Sequence, residues 1–286
     1  MPELPEVESI RAGVAAAVLG QRVRGVEVFH ARVVRAIPGG SAALASAVTG
    51  QTVQEVARRG KFIWLEFARS EQALVIHLGM SGQLLINDAA YDAATRYYPA
   101  GRRHERARFD YGDGVLRFID QRTFGFLALS AFVASADGRR VPASLAHIAP
   151  DALEMTPAQL AQRLAGARRE IKRVLLDQKV VSGIGNIYAD EALFLAGVDP
   201  RARQLGKRRA AWLAEAVRAV LAKALAAGGT SFDRLYRNAN GEAGYFEREL
   251  AVYGRAGQAC PQCGHPIQAV PFMGRHTHFC PHCQRH

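Results

Sequence analysis

Residues 135–166 read SADGRRVPASLAHIAPDALEMTPAQLAQRLAG, and the character of the chain changes inside them. The first part, SADGRRVPAS, carries the small, polar and proline residues of a connection. The second part announces a helix. Thr156 is a helix-capping residue, and Pro157 follows it at the first helical position, where a missing N–H costs nothing. Residues 136–148 are therefore expected to link two domains of different class, and two domains suit a length of 286 residues.

On the N-terminal side the chain is built of short β-rich runs: RVRGVEVF (22–29), QTVQEVA (51–57), KFIWLEF (61–67), ALVIHL (73–78), QLLI (83–86), RARFDY (106–111), GVLRFID (114–120) and FGFLALS (124–130). Gly112-Asp113-Gly114 is a hairpin-turn signal between two of them. Before these runs, Val7, Ile10, Val14, Ala17 and Val18 recur at helical spacing up to Gly20, so residues 5–19 read as an amphipathic helix with Pro5 in its first turn. An all-β sandwich or barrel fed by one helix is expected. On the C-terminal side, REIKRVLLDQ, NIYADEALFLAG and the Ala-rich AAWLAEAVRAVLAKALAAGG read as helices. The fold class is α+β multidomain.

Hydrophobic residues make up 49% and charged residues 22%, as in an ordinary globular protein, and no apolar run nears the ~18 residues of a membrane span. Glu3, Glu6 and Glu8 occupy the place where a secretory leader would be basic, so a cytoplasmic location is expected. A formal charge of +11 calls for a polyanionic partner. Arginine clusters at 58–59, 102–103, 168–169 and 208–209 supply bidentate phosphate donors, although any single cluster also suits a solvated face.

All four cysteines fall in the last 27 residues, as Cys260-Pro-Gln-Cys263 and Cys280-Pro-His-Cys283 with 16 residues between the pairs. Two C-x-x-C knuckles at this separation are the pattern of a structural Zn²⁺ site, each tight turn presenting two thiolates. Two disulfides or four idle thiols are the alternatives, and the expected reducing compartment disfavours the disulfides. The intervening GHPIQAVPFMGRHTHF has the composition of a hairpin hung on the metal. From Ala251 to His286 there is no Asp or Glu, while Arg255, Arg275 and Arg285 give the finger a positive edge. Four thiolates with one zinc lower the formal charge to about +9.

The opening MPELPEVE has two prolines and three glutamates. Removal of Met1 would leave Pro2 with a secondary α-amine that titrates near ~8, well below a lysine. Such an amine attacks a sugar C1′ and forms an iminium. Glu3, at the positive end of the following helix, is placed to move protons, with Glu6 in the first turn. The same residues also suit a solvated helix start with capping acids, and by themselves they leave both readings open.

MPELPEVE, RRGKF (58–62), HLGMSG (77–82), RTFG (122–125), GIGNIYADEALF (183–194), GGT (228–230), ELAVYGR (249–255) and the four-cysteine finger occur in one order across nearly the whole chain. In this the chain resembles the formamidopyrimidine-DNA glycosylases, base-excision enzymes that remove 8-oxoguanine and ring-opened purines from double-stranded DNA and cut at abasic sites. The resemblance implies a catalytic β-sandwich domain over 1–135, a helical domain with a helix-two-turns-helix over 149–250, and a zinc-finger β-hairpin over 251–286, acting as a monomer.

It further implies Pro2 as nucleophile, Glu3 as proton donor with Glu6 supporting, and Lys61 as a phosphate contact that assists β-elimination. Arg275 would hold the opposite phosphate and assist δ-elimination. Asn186 would lie at a turn whose glycines, Gly183 and Gly185, let backbone amides approach phosphate. Met80, Arg122 and Phe124 resemble the trio that fills the gap left by an extruded base. From the residues alone, Met80 and Phe124 suit a core equally well. His104, Arg168 and Lys172 align with further DNA contacts. Extrusion itself costs a few kcal/mol, which inserted side chains and phosphate anchors must offset.

The chain departs from the family pattern at NDAAYDAATRYYPAGRRHE (87–105), at Gln121 and Thr123 of DQRTFG, and in the loop TSFDRLYRNANGEAGYF (230–246). Two rivals share most of these features: an endonuclease VIII-type glycosylase for oxidised pyrimidines, and a non-catalytic DNA-binding zinc-finger paralogue. PELPE, and Arg122 with Phe124 on one loop, favour the purine-specific branch.

Overall fold

A computed structural model of the chain describes residues 1–87, 104–230 and 246–285, and these form two compact units. The first comprises residues 1–147 together with 227–245; the second comprises 148–226 and 246–286. Most of the two divergent stretches, 88–103 and 231–245, lies outside the described residues.

The first unit opens with α1 (Leu4–Val18), whose Val7, Ile10, Val14 and Val18 are buried on one face. Each such side chain contributes about 1.5–3 kcal/mol when removed from water. Gly20 stops the helix as its sequence position suggests, in the left-handed conformation with φ +76°. Among the described residues nine antiparallel strands follow in two sheets. One sheet orders β1 (Gly25–Val28), β6 (Glu105–Asp110), β7 (Val115–Asp120) and β5 (Gly82–Ile86); the other orders β2 (Val53–Arg59), β3 (Phe62–Phe67), β4 (Gln72–His77), β8 (Phe126–Ala134) and β9 (Arg140–Pro142). Alternate residues such as Ile63, Leu65, Leu74, Ile76, Leu84, Phe109 and Phe118 join the buried face of α1 in one core, as period-2 side chains on facing sheets do. The β6–β7 hairpin turns at 111–114, with Gly112 at φ +91° and its amide bound by Asp110.

Three local expectations are corrected. Residues 140–142, inside the stretch expected as a linker, form β9 and pair with β8. Gly40–Val48 is a helix, α2, that buries Leu44 and Val48. Phe124 and Gly125 precede β8 in a loop because Thr123 has φ +55° and breaks the extended run.

In the second unit, α3 (Pro157–Ala165) starts as its sequence dictates: Thr156 Oγ1 accepts the Gln159 amide at 3.2 Å and Gln159 Oε1 accepts the Thr156 amide at 2.9 Å. It packs along α6 (Lys207–Ala226), which buries Ala210, Leu213, Ala214, Val217, Leu221 and Ala224. Between α4 (Ile171–Leu176) and α5 (Asn186–Leu195), Gln178 staples the turns. Its Nε2 donates to the carbonyls of Leu176 and Ile184, and its Oε1 accepts the Gly183 amide. The unit ends in a hairpin, β10 (Gln268–Phe272) and β11 (Arg275–Phe279), closed by Met273 and Gly274 at φ +50° and +72°. Two positive φ values give the turn that matches strand twist. Among the described residues no helix is long and apolar enough to cross a membrane.

Candidate active site and nucleic-acid interface

Pro2, Glu3 and Glu6 are held at the start of α1. Glu3 is the N-cap, and its amide donates to Glu6 Oε2 at 2.8 Å. Glu6 is 4% exposed, and its other oxygen accepts the Thr230 amide at 2.7 Å and the Thr230 hydroxyl at 3.0 Å. Gly229, at φ +85°, is needed there: a Cβ would stand 2.8 Å from Glu6 Oε1. The tip is therefore a buried helix start, whose Glu3 and Glu6 form a capping box tied to the end of the GGT motif, and not a solvated one.

Lys61 sits in the two-residue turn between β2 and β3, which Gly60 closes at φ +56°. Three side chains fasten this turn to its surroundings. Arg58 donates to Glu8 of α1 at 2.8 Å and to the Gly60 carbonyl at 2.9 Å. Arg11 binds the same Glu8 carboxylate and the Val56 carbonyl. On the far side the buried Arg59 pairs with Asp137 at 2.6 Å. Burial would push the Glu8 carboxyl up, yet Arg11 and Arg58 hold it below its ordinary value, so it stays a carboxylate bridging α1 to the Lys61 turn.

His77 closes β4 beside this turn, its ring 4.6 Å from that of Phe62 and 5.4 Å from that of Phe126. Burial first, then the charges of Lys61 and Arg35, lower its pKa to about 4. The ring is neutral at physiological pH. Its Nδ1 accepts the Gly79 amide at 3.3 Å, which leaves the proton on Nε2.

Met80, Arg122 and Phe124 are brought together by a residue between them in neither motif, Asp120. This carboxylate is fully buried; it accepts Ser81 Oγ at 2.5 Å, the Arg122 amide at 3.2 Å and the Gly125 amide at 2.7 Å. The loops 78–82 and 120–125 thereby touch at their glycines: a Cβ on Gly79 would lie 2.5 Å from the Gly125 nitrogen. Arg122 reaches the Met80 carbonyl at 3.3 Å and lies 5.5 Å over the Phe124 ring. Phe124 stays 45% exposed, so it is no core residue, and Met80 is half-buried beside it.

In the second unit, Asn186 opens α5 after Gly185 and donates from Nδ2 to the His276 carbonyl at 2.9 Å, which ties the α4–α5 turn to β11. The next acids on α5 fasten the hairpin and its entry. Asp190 accepts Thr277 Oγ1 at 2.7 Å and the His278 amide at 2.9 Å; Glu191 accepts the amides of Ala251, Val252 and Tyr253 at 2.8–2.9 Å. Arg275 is exposed at the first position of β11, and Arg168 is exposed between α3 and α4. Lys172 departs from its expected place as a DNA contact. Its ammonium is fully buried 2.6 Å from Asp190 and faces the Phe272 ring, because a charge with an internal partner is cheaper to bury than one without. His104 is half-buried at the foot of β6, where its carbonyl accepts the Asp120 amide.

The cysteine sulfurs lie within 4.8 Å of one another, with Cys260–Cys283 at 3.9 Å and Cys263–Cys280 at 3.5 Å. Disulfides need ~2.05 Å. Tetrahedral ligands ~2.3 Å from one zinc stand about 3.8 Å apart, so the four thiolates fit a single structural Zn²⁺.

Residues 1–127 match the family model of the formamidopyrimidine-DNA glycosylase N-terminal domain, 148–234 that of the formamidopyrimidine-DNA glycosylase H2TH domain, and 257–285 a zinc finger found in FPG and IleRS. The formamidopyrimidine-DNA glycosylase of Corynebacterium urealyticum is 49% identical over 292 residues, covering 99% of both chains. That of Nocardia farcinica is 50% identical over 299 residues, covering 99% of this chain and 98% of its own. Among solved structures, the Lactococcus lactis Fpg in complex with abasic-site-containing DNA superposes with a TM-score of 0.81 at 31% identity, over 99% of this chain and 100% of its own. MutM in complex with carbocyclic 8-oxo-G-containing DNA gives 0.82 at 30% identity over the whole of both chains. With family models matched in both units and relatives matched end to end, the chain belongs to the formamidopyrimidine-DNA glycosylase family.

Proposed function

We propose that this chain is a bifunctional DNA glycosylase and abasic-site lyase that excises oxidised purines, 8-oxoguanine and formamidopyrimidines, from double-stranded DNA. The observation that carries the reading is the acidic tip: an N-terminal Pro-Glu fixed at a helix start by Glu6, which is itself held by Thr230. After loss of Met1, the Pro2 amine attacks C1′ of the damaged nucleotide. The C1′–N bond breaks, the base leaves with a proton, and Glu3 protonates the ring oxygen as the sugar opens to an iminium on Pro2. Removal of the C2′ proton then expels the 3′ phosphate, and a second elimination expels the 5′ phosphate. Lys61 assists the first elimination and Arg275 the second. Water releases the enzyme.

Met80, Arg122 and Phe124 fill the gap left by the extruded nucleotide, with Phe124 as the apolar wedge and Arg122 as reader of the orphaned base. Asn186 with the Gly185 amide, Arg168, His104 and the Nε2–H of neutral His77 serve as phosphate anchors; the Gly183 amide, expected among them, is instead taken by Gln178 Oε1. Lys172 is assigned to holding Asp190 instead. The division of labour is a catalytic domain over 1–135, a helical DNA-binding domain over 149–250 and a zinc-supported hairpin over 251–286. The protein works as a monomer in the cytoplasm, on nucleoid DNA.

Borohydride reduction tests the chemistry. A covalent adduct is expected on a duplex carrying 8-oxoguanine opposite cytosine and on an abasic duplex, and none with Pro2→Gly. Absence of any adduct overturns the lyase reading. Cleavage at thymine glycol with none at 8-oxoguanine overturns the substrate assignment.

A further inference from the structure

Asp120 ends β7 opposite Gly82, and residues 121–125 after it pair with no strand among the described residues, yet the backbone of 120–125 is held almost throughout by side chains. Two of its amides, Arg122 and Gly125, donate to Asp120. Its carbonyls are taken by two arginines from elsewhere in the unit. Arg106 donates to the Asp120 carbonyl at 2.7 Å through Nε and to that of Gln121 at 3.3 Å through Nη2. Arg35 donates to the Phe124 carbonyl at 2.9 Å through Nη2 and to the Gly125 carbonyl at 2.7 Å through Nη1. Arg35 is itself seated: its Nη1 also reaches the Arg32 carbonyl at 2.8 Å, and its guanidinium lies 5.1 Å from the Phe126 ring centroid. Each arginine thus spans two successive carbonyls, one pair at each end of the loop.

We propose that Arg35 and Arg106 are positioning residues that hold the 120–125 loop in its inserting shape before DNA arrives, so that Phe124 and Arg122 enter the duplex without first being ordered. The inference rests on the reading of Met80, Arg122 and Phe124 as the inserted trio. Residues fixed only on insertion would have their lost backbone entropy subtracted from the binding step, and a loop fixed in advance does not. The planar guanidinium suits this task because it offers several donors in a rigid fork, whereas a lysine offers one point charge and cannot span two carbonyls with the same geometry. A direct phosphate contact by Arg35 is the competing role. It differs in kind, since it depends on the charge and not on the fork.

The test uses the full-length zinc-loaded enzyme and four variants. Arg35→Lys keeps the charge and removes the fork; Arg106→Lys does the same at the other end of the loop; Arg35→Gln removes the charge; Phe124→Ala removes the wedge. Excision is followed in single turnover on an 8-oxoguanine·cytosine duplex, and base extrusion by stopped-flow fluorescence of a neighbouring 2-aminopurine. Arg35→Lys and Arg106→Lys are each expected to slow duplex extrusion and excision about tenfold, the scale of one lost charge-assisted hydrogen bond. Elimination on a single-stranded abasic oligonucleotide, which has no stack to enter, stays unchanged. In Arg35→Gln the slope of log affinity against log salt also stays unchanged.

Wild-type extrusion in both lysine variants overturns the proposal. So does a salt slope reduced by about one in Arg35→Gln, which marks a phosphate anchor. Phe124→Ala separates the two levels: if it extrudes as fast as wild type, the wedge reading itself fails, and if it is slow while both lysine variants are fast, only the clamp fails. Should one lysine variant not fold, the other carries the same prediction from the opposite end of the loop.

Discussion

Asp120 has no solvent to share its charge with, and three donors replace it: one hydroxyl and two amides. Asp120→Ala leaves the Ser81 hydroxyl and the Gly125 amide without their acceptor, the Arg122 amide keeping only Ser81 Oγ, and is expected to cost about 3 kcal/mol, read from chemical denaturation, with loss of Phe124-dependent extrusion. Nothing in DQRTFG marks this aspartate as the centre of two loops, since Ser81 lies 39 residues away and only the fold brings it near. His77 was similarly invisible as a depressed base, because HLGMSG does not reveal that Lys61 and Arg35 surround it. Its unfolded form gains a proton near pH 6.5 and its folded form only near pH 4, so between those values the unfolded state binds more protons and stability falls as pH falls. A drop of about 3 kcal/mol from pH 7 to pH 4 is expected from this group, and His77→Gln should flatten that part of the pH–stability curve. By contrast, the place of Pro2 and Glu3 ahead of α1 follows from Pro5 and the helical spacing after it, signals local to one turn, whereas the roles given to them and to Lys61 come from the resemblance alone.

Elements behaved according to how local their signals were. Helix α3 follows from Thr156, Pro157 and Gln159 alone, all within one turn. Helix α2 was missed because GSAALASAV has no polar stripe and begins at Gly40; only the burial of Leu44 and Val48 makes it a helix worth forming. Strand β9 was hidden in a linker-like composition because three residues ending in Pro142 carry no period, and its partner β8 supplies the reason for it. The contact between loops 78–82 and 120–125 gives a sharper test. Gly79→Ala sets a Cβ against the Gly125 backbone at a φ of +62°, and it should lower stability by more than 1 kcal/mol and impair duplex processing together. The finger depends on another kind of long-range partner. Removing zinc with a strong chelator is expected to unfold the 251–285 segment and abolish DNA binding, with one zinc per chain measured beforehand by elemental analysis. If binding survives complete removal, the hairpin does not depend on the metal for its shape.

At the scale of the molecule, the acidic tip belongs to a chain of formal charge +11. Lys61, Arg168 and Arg275 as phosphate anchors predict a slope of log affinity against log salt of about −3, shallower by about one when any of the three becomes alanine. A slope unchanged in Arg168→Ala would remove that residue from the interface.

The bond from Glu6 to Thr230 has a consequence for synthesis. The first unit is not contiguous: residues 227–230 belong to it although they follow the last long helix, and they complete the surroundings of a carboxylate laid down at the very start. During translation the sandwich emerges early, while one acceptor oxygen of Glu6, Oε1, waits for more than two hundred further residues. At roughly 5–20 residues per second that interval lasts on the order of ten seconds or more. The nascent chain therefore has its Pro-Glu tip first and the Thr230 partner of Glu6 only once almost the whole chain has left the ribosome, so an incomplete chain carries the tip without the contact that completes its surroundings.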